Sequence, residues 1–220
     1  LTVHGQSHAV TSTSDHTAGN NMVFYSNGSG QLVELALGAS GTILTSAGTT
    51  SAPTFSTPAA GGTKTYAVFA ATDNQPPASA FATLDTRNST ATLDFDSATD
   101  ENAVFVGITP EAASLGSGLI VRLHWMATTA TSGNVRWGVQ FERSNTDLDS
   151  DSFDTAVEAT AAANATSGII TTTAITVTTI DGITAGDVFR LKVFRNADDA
   201  TNDTMTGDAE LVAVEIRSAA

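Results

Sequence analysis

The chain has 220 residues, a net charge of −14 and no cysteine. Two lysines and seven arginines face 23 carboxylates, too little positive charge to neutralise a phosphate backbone, so no nucleic-acid partner is expected. Without cysteine there are no disulfides, thiol nucleophiles or Cys-bound zinc. The apolar runs fall short of the ~18 residues that a membrane-spanning helix needs.

Threonine occurs 36 times, long helix-forming side chains are scarce, and charged residues make up 15%, below the usual quarter. Such a composition favours strands and tight turns. Leu1-Thr2-Val3-His4 has neither a basic start nor an apolar core, so no secretory leader is expected there.

In chain order, residues 1–62 come first. Glycines punctuate short apolar patches: Met22-Val23-Phe24-Tyr25, Leu32 to Leu37, and Thr42 to Thr45. Each is too short to build a core alone, so the segment is expected to act as an extended arm stabilised by partner chains. Pro53, Pro58 and Gly61-Gly62 read as a linker.

From Thr63 the pattern alternates with period 2, the signature of half-buried strands. Val135, Trp137, Val139 and Phe141 form one inward series, and Leu119, Val121, Leu123 and Trp125 a second. Phe189, Leu191 and Val193 form a third, and Val212, Val214 and Ile216 a fourth. Weaker strands are expected at 64–71, 80–84, 91–95, 103–109 and 169–179. Alanine-rich 153–164 is the one helix candidate, as a short helix or a loop insertion. The expected fold is all-β: an arm over 1–62, then an antiparallel jelly-roll-like β-sandwich over 63–220, with two four-stranded sheets.

Residues 38–55, Gly-Ala-Ser-Gly-Thr-Ile-Leu-Thr-Ser-Ala-Gly-Thr-Thr-Ser-Ala-Pro-Thr-Phe, resemble a glycine-rich repeat of bacteriophage tail and head fibre proteins. The departure is Ala47, where the repeat usually has Asn. The stretch from Gly186 to Leu191, with Asn196 to Ala209, is similar to the last two strands of jelly-roll modules in phage structural proteins. The resemblance implies a virion appendage with a trimeric stalk, a surface-facing sandwich and no enzymatic activity; the alternative readings are a carbohydrate- or receptor-binding module of a tail fibre and a non-viral extracellular scaffold protein. The resemblance places the protein outside the cell, on the particle's exterior. Other virion proteins would meet residues 1–62, and a host surface glycan is a further partner. The stalk reading assigns Val23, Phe24, Leu32, Leu35, Leu37, Ile43 and Leu44 to contacts between chains, with Phe55 at the junction with the sandwich.

No cofactor is expected. Two patterns would hold a metal if one were bound. His4 and His8 would gather imidazoles on a threefold axis for a transition metal. Asp147, Asp149, Asp151 and Glu158 have the spacing of a calcium loop, although Ser152 stands where such loops need glycine. Asp94, Asp96, Asp100 and Glu101 offer paired carboxylates of the kind glycoside hydrolysis uses, but acidic residues at strand ends usually only mark turns. Trp125, Trp137 and Tyr66 suit a sugar-stacking platform, but the alternation sends both tryptophans to the core.

Overall fold

The computed structural model describes residues 22–58, 62–144 and 148–219. The chain divides into two compact units, Leu1–Gly61 and Gly62–Ala220. It is all-β: the described residues hold fourteen strands, one 3-10 turn at Ala71–Asp73 and no α-helix.

In the first unit, β1 (Met22–Ser26) pairs with β2 (Leu32–Ala36), and β3 (Ile43–Thr45) with β4 (Thr54–Ser56), both antiparallel. The first hairpin closes on Asn27. Its Oδ1 accepts from the Ser29 and Gln31 amides at 3.0 and 2.9 Å, and Gly30 takes the left-handed conformation at φ 76°. Two-stranded pairs this small cannot enclose a side chain. None of the described residues between 22 and 58 is buried.

The second unit contains β5 (Thr65–Ala70), β6 (Thr83–Arg87), β7 (Thr90–Phe95), β8 (Glu101–Ile108), β9 (Leu119–Ala127), β10 (Asn134–Arg143), β11 (Val157–Ala162), β12 (Thr171–Val177), β13 (Val188–Arg195) and β14 (Ala209–Ser218). One sheet has the order β11-β10-β13-β8. The other has the order β12-β9-β14-β7-β6, with β5 also on β14. Their inward side chains share one core, an arrangement consistent with a β-sandwich. Aromatic rings join the sheets: Trp125 of β9 lies 5.8 Å from Trp137 of β10, and Phe69 of β5 lies 5.4 Å from Phe105 of β8. The Trp125 indole N–H donates to Thr173 Oγ1 at 2.8 Å. Leu119, Val121, Leu123, Val135, Val139, Phe141, Phe189, Leu191 and Val193 are buried, as their alternation predicts.

Four features depart from the sequence expectation. First, the helix candidate contains the edge strand β11, where Ala159 and Ala161 pack on the core and Glu158 and Thr160 contact Arg136. Alanine's helical propensity is only a few tenths of a kcal/mol above its neighbours and loses to pairing with β10. Second, a bulge between Leu211 and Ala213 shifts the β14 pattern, so that Leu211, Val214 and Ile216 are buried while Val212 is only half-buried. Third, β14 is long enough for two strands to share one edge, β7 at Ala209–Leu211 and β5 at Ala213–Arg217, so this sheet has six strands rather than four. Fourth, Arg195 continues the inward series of β13 and is fully buried. Its guanidinium grips Asp203 at 2.9 and 2.7 Å and also donates to the carbonyls of Phe95, Met205 and Gly207. All five of its N–H donors are thereby used. The pair pins the Asn196–Asp208 loop to the core, so Asp203 is a structural carboxylate.

Candidate functional site

In the first unit the assembly candidates lie on both faces of their strands. Val23 opposes Leu35 on one face of the first hairpin, while Phe24 points to the other. Leu44 opposes Phe55 across the second pair, and Ile43 faces the opposite way. Phe55 also lies close over Gly38, where an added Cβ would sit 2.5 Å from the Phe55 Cβ. Leu32, Leu37, Ile43 and Leu44 are 51, 51, 53 and 49% exposed. An open hollow of about 660 Å³ is lined by Tyr25, Asn27, Leu44 and the 46–53 loop.

His4, His8 and Asp147 lie outside the described residues. Asp149 sits in an exposed turn, and Asp151 follows it. Glu158 stands on β11 with its carboxylate committed: Arg136 Nε donates to it at 2.8 Å and Asn196 Nδ2 at 3.0 Å. Among the described residues no group of three His, Asp or Glu side chains is arranged to hold a metal ion.

The carboxylates near β7 mostly close turns. Asp96 Oδ1 accepts from the Ala98 and Thr99 amides, and Asp100 Oδ1 from the Asp198 amide. Glu101 accepts from the Asp96 amide, and burial raises its pKa. Asp94 differs: burial, then the charges of Glu210 and Asp85, push its pKa up to about 6. Glu210 is its cross-strand neighbour and is held by Arg87 at 2.6 Å. His124 accepts or donates at Thr172 Oγ1, 3.0 Å away, and its other nitrogen lies 3.9 Å from Glu215. Trp125 and Trp137 are fully buried, and the Tyr66 hydroxyl donates to the Ser114 carbonyl at 3.2 Å. The three aromatic residues therefore form no exposed platform.

A different constellation stands out on the outer face of the four-stranded sheet. Alternation along β13 sends Phe189, Leu191 and Val193 inward, and Arg190, Lys192 and Phe194 outward. Pairing sets Val104 and Gln140 beside Lys192, and Val106 and Glu142 beside Arg190. Arg190 forms a two-pronged contact with the buried Glu142, at 2.8 and 2.6 Å. Phe153, from the segment leading into β11, covers both cations: Arg190 lies 5.1 Å and Lys192 5.9 Å from its ring centre. Lys192 also lies 5.5 Å from the Phe194 ring. Beside them opens a groove of about 540 Å³, whose other wall is the 75–80 segment with Pro76 and Pro77. Asp, Glu and His are missing from the described residues that line it. Its cations, aromatic ring and prolines are features of a binding groove. The sequence signal was the outward half of β13, hidden because Phe153 falls in the apparent helix.

Comparison with known protein families finds no match for this chain, and comparison with curated proteins finds none either.

Proposed function

We propose that the chain is a non-enzymatic structural component of a virus particle. Residues 1–62 act as an assembly and attachment arm, and the second unit is a projecting jelly roll. The observation that carries this reading is the contrast in burial. The first unit presents Leu32, Leu37, Ile43 and Leu44 about half exposed, while the second has a complete core of its own. Fully burying a side chain of this size contributes about 1.5–3 kcal/mol, which three identical chains around an axis would realise together.

Two further points support the reading. The fibre-like stretch of residues 38–55 contains β3 and most of β4, with its Leu44 and Phe55 paired across the strands. The strand orders β7-β14-β9-β12 and β8-β13-β10-β11 follow the two-sheet winding of a jelly roll. Light scattering on the full chain and on residues 62–220 tests the proposal. The full chain should run as a trimer and the fragment as a monomer. A full-length monomer would defeat the arm; a fragment that remains trimeric would move assembly to the sandwich. A receptor-binding role is the second reading, favoured by the cation-and-aromatic groove.

A further inference from the structure

We propose that the groove beside Lys192 binds an acidic saccharide, a glycan carrying sugar carboxylates. This develops the receptor-binding reading and does not depend on the assembly arm. The first ground is charge. Each of the seven arginines has a carboxylate within salt-bridge distance. Neither lysine has such a partner among the described residues, in a chain with 23 acidic side chains, and of the two Lys192 is the one that lines the groove. Its ammonium is instead held between the Phe153 and Phe194 rings. Phe194 is itself fixed over Gly138, where an added Cβ would collide with the ring. The uncompensated positive charge is therefore prearranged at the groove rather than free to swing.

The second ground is the chemistry of the walls. Pro76, Pro77 and Phe153 present flat apolar surface that suits the C–H face of a sugar ring. Gln75, Ser79 and Asn102 offer amide and hydroxyl groups that match sugar hydroxyls. Asn102 Nδ2 is already used on the Ala80 carbonyl at 2.7 Å, which orients its oxygen. Glu142 neutralises Arg190, so the site has one net positive charge, enough for a carboxylate and poorly matched to a phosphate dianion.

The third ground separates a saccharide from an acidic peptide. A peptide would gain most by adding a strand to the β8 edge. That edge is occupied beside the groove. The Gln75 amide donates to the Val104 carbonyl at 2.7 Å, and the Asn102 amide to the Ala80 carbonyl at 2.8 Å. Asn74 Oδ1 accepts from the Val104 amide at 2.9 Å.

Calorimetric titration of the full chain with three acidic oligosaccharides, of galacturonate, hyaluronate and mannuronate type, tests the proposal. Methyl-esterified oligogalacturonate, hexaglutamate and inorganic phosphate are the comparison ligands. At least one acidic oligosaccharide should bind, weakening with added salt. The variants Lys192→Gln and Lys192→Met should each bind it at least about tenfold more weakly, the scale of one lost charge contact, while Lys64→Gln should not. If galacturonate is the ligand, its ester should lose affinity likewise. Thermal unfolding of each variant confirms that the fold is kept. Failure of all three oligosaccharides at millimolar concentration overturns the site, as does unchanged binding by both Lys192 variants. Equal or tighter binding of hexaglutamate or phosphate overturns the saccharide assignment.

Discussion

Residues 22–58 and the second unit use the same local device, short antiparallel pairs with apolar side chains at alternate positions, and reach different ends. In the first unit Leu44 faces Phe55 across one pair and stays 49% exposed. In the second, Leu123 on β9 has a strand on either side and a second sheet over its side chain, and is fully buried. Alternation is enough to make a strand, but a core needs a second layer. The difference extends to charge. The second unit excludes water well enough to hold Arg195 and Asp203 fully buried, at the cost of ordering the loop that supplies two carbonyls and the carboxylate around the guanidinium.

The sharpest way to break this comparison is to remove single groups from each region. Asp203→Ala leaves the Arg195 guanidinium buried without its counter-charge and should cost about 3–5 kcal/mol. Trp137→Ala, which removes a ring packed against Phe95 at 5.0 Å and Trp125 at 5.8 Å, should cost a similar ~3–5 kcal/mol. Leu44→Ala in the first unit should change unfolding of the second by less than about 0.5 kcal/mol, because it touches no enclosed core. Denaturant titration followed by tryptophan fluorescence reads all three, since both tryptophans are in the second unit. A Trp137→Ala cost below about 1 kcal/mol would contradict the shared core.

Gly138→Ala has a smaller expected effect. Gly138 sits mid-strand on β10, where glycine has no side chain to pack, and Phe194 covers the gap from the neighbouring strand. The added methyl displaces the ring toward solvent, costing about 1–3 kcal/mol. The same displacement removes one of the two rings beside Lys192. A gain in stability would mean that the ring covers nothing.

The legibility of the fold follows from these same contrasts. The inward series of β9, β10 and β13 was readable because each strand is long and polar side chains, among them Arg122, His124, Arg136, Gln140, Arg190 and Lys192, alternate with the apolar ones. The bulge in β14 was not, since a one-residue insertion leaves the composition unchanged and reveals itself only by its partner, His124 opposite Ala213. β11 was misread because alanine fits either state and the deciding term is pairing with β10. Arg195 fell on an inward position that sequence alternation marks, yet its acceptors come from four separate residues, three on the loop and Phe95 on β7, that only the fold collects. The groove was hidden for a related reason: Phe153, Pro76 and Lys192 are far apart in sequence, and nothing local links them. The carboxylates near β7 were visible as a cluster, but which of them would be perturbed depended on β14 bringing Glu210 opposite Asp94.

That pairing supports the last and smallest prediction, a test of how completely the second unit excludes solvent at its outer face. Asp94 is half-buried, and its pKa is raised to about 6, first by burial and then by Glu210 and Asp85. Asp208 pushes the same way, and the Thr92 hydroxyl pulls it down. A raised pKa means that the folded state binds the proton more tightly than the unfolded chain. The stabilising contribution is complete below pH 3.8, the unfolded value, and is lost as pH rises through about 6. Asp154, Asp187, Asp199 and Glu215 behave oppositely: hydrogen bonds hold their pKa values low, so their contribution is present at neutral pH and lost on acidification. The whole-protein profile therefore mixes the two, and the difference between wild type and Asp94→Asn isolates the first. The variant should match wild type near pH 4 and become more stable by pH 7. Discounted for solvent screening of a half-exposed group, the gain is roughly 1 kcal/mol. Added salt should shrink the part that comes from Glu210 and Asp85 and leave the part that comes from burial. Thermal unfolding across this pH range decides it: a variant offset equally at both ends would show that Asp94 is as well solvated in the fold as in the open chain.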